Sequence, residues 1–388
     1  MHMNDDQRDN GNAIDLVHRF EQMLSENASY YFDIDQFEVA SSPDKRRWVI
    51  LGFGTAGQRT REALGTEVWM LRADVDGGEA RSSFILTSER WSPADLTWKS
   101  VVLDDSGKVF AIYEDKDYGG TGLLGGHKQL NHFHWVKSGG DSLMRGDLVV
   151  EGDVLDAVAV LHTKTQALQV FGYYNAGKGV GMDGYFIGEF GDDGQIATSN
   201  HPFTESAAKQ FMGLGSLKRN ERPDNYYIRN VVALSNGGWL MLSEQFYESR
   251  QMETYYVNGV PQTSSKLFYH YGDIAMQYLQ KDGTLDSLIM VRKTQVGAVN
   301  VAHLFGFGMY VCGSSINLLY NDDEGEINRI MHVKIDKSFK VERDWLFRNE
   351  NTPGTIVPYE GKQTDYGLIT LPIYRDKQWF WLQVFSND

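Results

Sequence analysis

A chain of 388 residues, 41% hydrophobic and 13% aromatic, has the apolar material for a large core, and 40 glycines against 8 prolines suit many short strands and tight turns. A formal charge of −15, with no Lys/Arg run to track a phosphate backbone, argues against nucleic acid and anionic membrane as partners. Cys312 is the only cysteine, which excludes an internal disulfide and a thiolate-rich zinc site, and no apolar run of about 18 residues offers a transmembrane segment.

In chain order, residues 1–12 ("MHMNDDQRDNGN") form a polar tract that reads as a tail or cloning scar, so a missing secretory signal says little about compartment. Residues 13–27 place Ile14, Val17, Phe20, Met23 and Leu24 at three- and four-residue spacings, the pattern of one amphipathic helix.

From residue 28 to 388 the sequence repeats. Strand cores recur at "RRWVILGFG", "KVFAIYED", "ALQVFGYY", "GWLMLSEQF", "GMYVCGSS" and "GLITLPIY". Between Trp48, Val109, Leu168, Trp239, Met309 and Leu368 the intervals are 61, 59, 71, 70 and 59 residues. A shorter strand and turn precede each core. A third strand follows it, such as "VWMLRA", "HFHWVK" or "IAMQYL", and in five units an Asp-Gly, Gly-Gly or similar tight turn leads to a fourth.

Four antiparallel strands repeated six times predict an all-β fold, a six-bladed β-propeller, because one such sheet cannot bury both faces alone. The blades are expected at about 36–94, 95–152, 153–204, 226–294, 298–349 and 354–388, with residues 28–34 supplying the last blade's fourth strand and closing the ring. A pair of β-sandwiches, or a seventh blade hidden in the long fourth unit, are the competing architectures.

The second-to-third-strand connections are long and the other turns short, so one face of a propeller would carry the variable contacts. The richest is in blade four, over 248–266 and its flanks. There Tyr247, Tyr255, Tyr256, Tyr269 and Tyr271 are interspersed with Arg250, Asn258, Gln262 and Asp273, a mixture suited to a protein or glycan partner. Tyr320, Asn321 and Asp322 join them from a fifth-blade loop, "SINLLYNDDEGEINR". Lys99 and Arg229 occupy equivalent places, each ten residues before a strand-core anchor, where innermost strands begin near the channel mouth. Either they draw an anionic ligand, or they pair with acids such as Asp95 or Asp224.

Metal signals are weak. Asp74, Asp76 and Glu79, then Asp115 and Asp117, then Asp322, Asp323, Glu324 and Glu326 cluster carboxylates, yet none forms a twelve-residue calcium loop with a central glycine. His132 and His134 share one face of a strand, and His127 is the nearest third ligand. No cofactor is implied, with calcium the one open question. No nucleophile elbow, phosphate loop or His-Glu-x-x-His motif occurs, although paired acids for glycoside chemistry remain open.

The runs "GGWLMLSEQFY", "YHYGDIAMQYLQKDGTL", "VRKTQ" and "LLYNDDEGEIN" resemble a group of uncharacterised envelope or secreted propeller-like proteins common among Bacteroidota. The resemblance lies mainly over residues 228–330. Its matching positions are Glu244, Gln245, Tyr271, Asp273, Gln295, Asn321, Asp322 and Asn328. It implies a propeller and an extracytoplasmic location, whether periplasmic, outer-membrane associated or secreted. The first expectation is therefore a non-catalytic binding or scaffolding module. A glycan-acting hydrolase or lyase is the second, and a cytoplasmic subunit of a larger complex the third.

Overall fold

The computed structural model describes residues 30–56, 66–74, 79–86, 96–117, 130–139, 142–162, 165–177, 180–190, 195–216, 218, 221–258, 260–322, 329–346, 354–365, 367–375 and 377–385. The tail at 1–12, the expected helix at 13–27, Asp76, Asp95, His127, Asp323, Glu324, Glu326 and Asn328 lie outside them. The chain divides into two compact units, residues 1–206 with 218–222, and residues 207–217 with 223–388.

The first unit contains three antiparallel sheets in chain order. One comprises β1 (Tyr30–Ser41), β2 (Arg47–Ala56), β3 (Thr66–Asp74) and β4 (Glu79–Leu86). The next comprises β5 (Leu96–Leu103), β6 (Val109–Asp117), β7 (Leu130–Gly139) and β8 (Ser142–Asp147), and the third β9 (Asp153–Leu161), β10 (Leu168–Asn175), β11 (Gly184–Phe190) and β12 (Ile196–Pro202). Alternation along each strand decides the packing. Val49, Leu51 and Phe53 of β2 meet Trp98, Val109, Ala111 and Tyr113 of the second sheet. The opposite set on that second sheet, Phe110, Ile112, Phe133 and Trp135, meets Ala157, Val170 and Phe186 of the third. The middle sheet is thus buried on both faces, which is why its core strands read as apolar runs rather than strict alternations.

The second unit repeats the arrangement. Its first sheet holds β13 (Tyr226–Ala233), β14 (Trp239–Val257), β15 (Val260–Leu279) and β16 (Leu285–Val291), with β17 (Gln295–Ala298) added to β15. The next holds β18 (Gly308–Cys312), β19 (Ser315–Asp322), β20 (Arg329–Ile335) and β21 (Val341–Trp345). In the last, β22 (Thr355–Ile356) and β23 (Lys362–Asp365) both pair with β24 (Leu368–Arg375), and β25 (Gln378–Phe385) takes its other edge. Leu240, Leu242 and Met276 pack against Leu318, Tyr320 and Val333, and Tyr310, Cys312 and Leu319 against Ile369, Leu371 and Ile373. A helix, α1 (Glu205–Met212), buries Phe211 against Tyr226 at a ring separation of 5.0 Å.

Three expectations are corrected. The blade-four "loop" is strand: β14 and β15 run on as a two-stranded ribbon, paired from Phe246 with Tyr271 to Val257 with Val260. In the fifth unit "GMYVC" is the first strand, not the second. The stretch expected to precede it, "VNVAHL", is a 3₁₀ turn at Val299–Leu304, and "SINLLYND" is strand β19 rather than loop. Finally, Tyr30, Tyr31 and Phe32 pair with Ala56, Thr55 and Gly54, so residues 30–34 extend the first sheet rather than completing the sixth.

Candidate functional site

The site grows from an irregularity in β13. Ile228 faces Ser243 and Asn230 faces Leu242, so Arg229 is an inserted residue in the ladder. Such a bulge re-aims a side chain, and here it turns the guanidinium onto Glu244 of β14, with Nε 3.3 Å from Oε2. Glu244 is fully buried. Its other oxygen, Oε1, meets Lys293 Nζ at 2.7 Å, and the Tyr359 hydroxyl donates to Oε2.

Lys293, with a side chain only 1% exposed, donates also to Gln295 Oε1 at 2.8 Å and lies 5.8 and 5.9 Å from the Tyr271 and Tyr320 ring centres. Burial pulls its amine below the ordinary lysine range, and the Glu244 carboxylate opposes that pull. Burial, and then the Glu244 charge, push the Tyr359 phenol far above the tyrosine range, which keeps it a donor. Tyr359 is 40% exposed as a residue, and its ring centre lies 5.2 Å from the Arg229 guanidinium.

Asp273 of β15 ties in from the side, accepting from Lys293 N at 3.1 Å and from Arg292 Nη1. Arg292 in turn donates Nη2 to the Gln210 carbonyl at 2.8 Å, at the C-terminal end of α1 where helix carbonyls lack partners. Gln295 Nε2 bonds the Asn321 carbonyl at 2.6 Å, and the Asn321 amide bonds the Leu304 and Ile356 carbonyls at 2.6 and 2.7 Å. These last contacts are a clamp: Asn321 and Tyr320 are 3% and 2% exposed, so the sequence expectation that they meet a partner is corrected. Buried amides satisfied on every side hold neighbours in place; they do not reach out.

Aromatic rings line the approach. Tyr227 lies 6.0 Å from Phe246, Phe246 lies 5.5 and 4.9 Å from Tyr269 and Tyr271, and Tyr271 lies 5.7 and 6.2 Å from Phe305 and Tyr359. Tyr247 stacks on His270 at 4.3 Å on the other face of the ribbon. Arg250, Tyr255 and Tyr256 stand farther out along β14, exposed, and Gln262 faces Tyr255.

The first unit carries a counterpart. Trp98 faces Tyr113 and Ser100 faces Ile112, so Lys99 is the inserted residue of β5. Its Nζ lies 2.8 Å from Glu114 Oε2, 3.5 Å from Asp156 Oδ1 and 5.7 Å from the Phe133 ring centre. Both sequence-predicted cations therefore do pair with acids, but with Glu114, Asp156 and Glu244. Asp224 instead accepts from Asn225 N at 2.8 Å.

The remaining metal candidates do not converge. Asp74 pairs with Arg47 at 3.5 Å, and Asp115 is buried in β6. His134 meets Asp147 at 2.8 Å and stacks on Tyr113 at 5.0 Å, while His132 is exposed beside it on β7. Among the described residues no three His, Cys, Asp or Glu side chains form a metal-holding group.

Five of the eight positions carrying the resemblance, Glu244, Tyr271, Asp273, Gln295 and Asn321, come together around Lys293. Lys293, Arg292, Tyr359, Glu114 and Asp156 were not singled out from the sequence. Lys293 had a signal, since Val291, Lys293 and Gln295 alternate and so share a face. Tyr359 had none, because a 3₁₀ turn at Pro358–Glu360 delivers it from a distant segment.

No family model matches the sequence, and no curated protein matches it. Among solved structures, the chain is similar to a protein of unknown function from Dyadobacter fermentans, at 8% identity and TM-score 0.42 over 92% of this chain and 96% of that one. It is similar to an α-L-arabinofuranosidase from Lactobacillus brevis at 12% identity and TM-score 0.35, over 87% and 98% of the two chains. For a levansucrase of B. megaterium the values are 11% and 0.32, over 80% and 84%.

Proposed function

We propose that this chain is a six-bladed β-propeller of the bacterial envelope or secreted space, and that it binds a glycan at the aromatic-lined Arg229–Glu244–Lys293 cluster. The three sheets within each unit, with the middle one buried on both faces, support the blade reading. The location rests on the resemblance over 228–330. The observation that carries the glycan reading is a cation, Arg229, whose side chain is 26% exposed above a buried ionic cluster and lies over the Tyr359 ring. A guanidinium held in place by a buried carboxylate presents its remaining N–H donors to sugar hydroxyls, and ring faces cover the apolar face of a sugar.

Binding is favoured over cleavage because Glu244 is fully buried, whereas a general acid or nucleophile must touch the glycosidic bond. The test is calorimetric titration of wild type and Arg229→Ala against a panel of bacterial and plant polysaccharides, with reducing-end release followed in parallel. Wild type should bind, Arg229→Ala should lose at least about ten-fold in affinity, and no reducing ends should appear. An unchanged affinity in the variant would sink the site.

One observation favours a second reading, hydrolysis. Glu244 and Asp273 both contact Lys293, one through its ammonium and one through its backbone N–H, and a pair of carboxylates is what glycoside hydrolysis uses; this reading requires Glu244 to become exposed when substrate binds. Reducing-end release abolished by Asp273→Asn would establish it.

A further inference from the structure

The ribbon formed by β14 and β15 is the least supported part of the second unit. An isolated two-stranded hairpin is marginal in water, and it needs a further strand or a packed face. Beyond Phe246 the outer edge of β14 has no partner strand among the described residues, while β17 covers β15 only between Phe268 and Tyr271. From Glu248 to Val257 the arm is about 30 Å long at the ordinary strand rise. Met252, Tyr255, Tyr256 and Val260 are 70, 47, 72 and 59% exposed. Large apolar groups on an open strand edge are what natural proteins avoid unless the edge is used.

Charge fits a second copy of this chain as the occupant. The whole chain is −15, but residues 248–269 hold two acids, Glu248 and Glu253, and two bases, Arg250 and Lys266, and are neutral. Glu253 and Lys266 already pair across the arm at 2.7 Å. Two such acidic bodies would repel at close range. Contact through the ends of neutral arms separates them by a distance well beyond the screening length of about 8 Å at physiological ionic strength.

We propose that the arm pairs with the same arm of a second copy of this chain, edge to edge around a two-fold axis, giving a dimer that leaves the Arg229 cluster of each copy accessible. Antiparallel self-pairing of one edge is the isologous contact that two-fold symmetry generates.

Sedimentation velocity across the micromolar range tests it with three proteins. Wild type should show a concentration-dependent dimer. A shortened variant, in which Asn-Gly joins Glu248 to Tyr269 as a two-residue hairpin turn, should dimerise at least about ten-fold more weakly. A variant keeping the arm but carrying Met252→Asp and Tyr256→Asp should lose the dimer too, and it decides the matter if the shortened chain fails to fold. A thiol introduced as Thr254→Cys should cross-link with a short bis-maleimide, since the only native cysteine, Cys312, is buried. A wild type that stays monomeric, or a dimer that persists without the arm, overturns the proposal. The first of those outcomes leaves the edge to a different protein.

Discussion

The two units place an inserted cation on the first strand of a sheet and a buried glutamate on the next, Lys99 with Glu114 and Arg229 with Glu244. What surrounds the pair differs. In the first unit a second acid, Asp156, joins Lys99 and Glu114. In the second, Lys293 brings another cation, Tyr359 brings a hydroxyl donor and a ring beside Arg229, and Asp273 is already engaged by Arg292. The same backbone device thus supports a closed ionic lock in one unit and an aromatic-rimmed, cation-rich site in the other.

The sharpest break in that comparison is Lys293→Met. It takes the Oε1 partner from a fully buried carboxylate that keeps Arg229 and Tyr359 only on Oε2, and the expected loss is about 4 kcal/mol of unfolding free energy, read from denaturant melts. Glu244→Gln added to it should recover part of the loss, because the half-satisfied buried charge is then neutral; a double variant no more stable than the single would contradict the pairing. Gly306→Ala comes next. At φ +84° an added Cβ would run into the Tyr359 ring, so that ring must move. About 3 kcal/mol and a weakened glycan response are expected together. Lys99→Met should cost less, about 2 kcal/mol, because Lys99 is 18% exposed against 1% for Lys293 and water screens part of what is lost. It should leave glycan binding unchanged.

The repeat made the sheets legible. Apolar runs bounded by Asp-Gly and Asn-Gly turns marked most strands, and Gly237 at φ +83° shows the backbone such a turn needs. The pattern failed where a strand carried no apolar alternation. "ESRQMETYYV" reads as polar because it is exposed on both faces, so a search for half-buried strands sees only loop. In the fifth unit "GMYVC" reads as the core strand because "SINLLYND" carries Asn317 and Asn321, which are buried rather than solvated, Asn321 bonded through both amide atoms and Asn317 Oδ1 meeting His332. Half of the site was visible as Arg229 and the positions of the resemblance. Its other half comes from Tyr359, more than a hundred residues from Glu244, and no local spacing encodes that meeting.

The smallest expected effect again contrasts the two units, through a histidine on the third strand of a sheet in each. His134 on β7 and His332 on β20 are both held below the ordinary imidazole range, first by burial. In the first unit Asp147 pushes back against that shift with a hydrogen bond at 2.8 Å; in the second His332 contacts Asn317 Oδ1 at 2.9 Å and the Tyr310 hydroxyl at 3.3 Å, and Lys334 adds to the shift by more than the Asp344 charge takes away. A lowered folded value means the unfolded chain binds the proton first, at about pH 6.5. Stability is then complete above that pH and is lost as pH falls through it toward the folded value, since the unfolded state carries more protons in that window. Each ring therefore makes stability rise with pH across that window. His332→Gln should flatten the stability profile between pH 5 and 7 more than His134→Gln does, because Asp147 already offsets part of the penalty in the first unit. Equal flattening by the two variants would mean that the carboxylate beside His134 carries no weight.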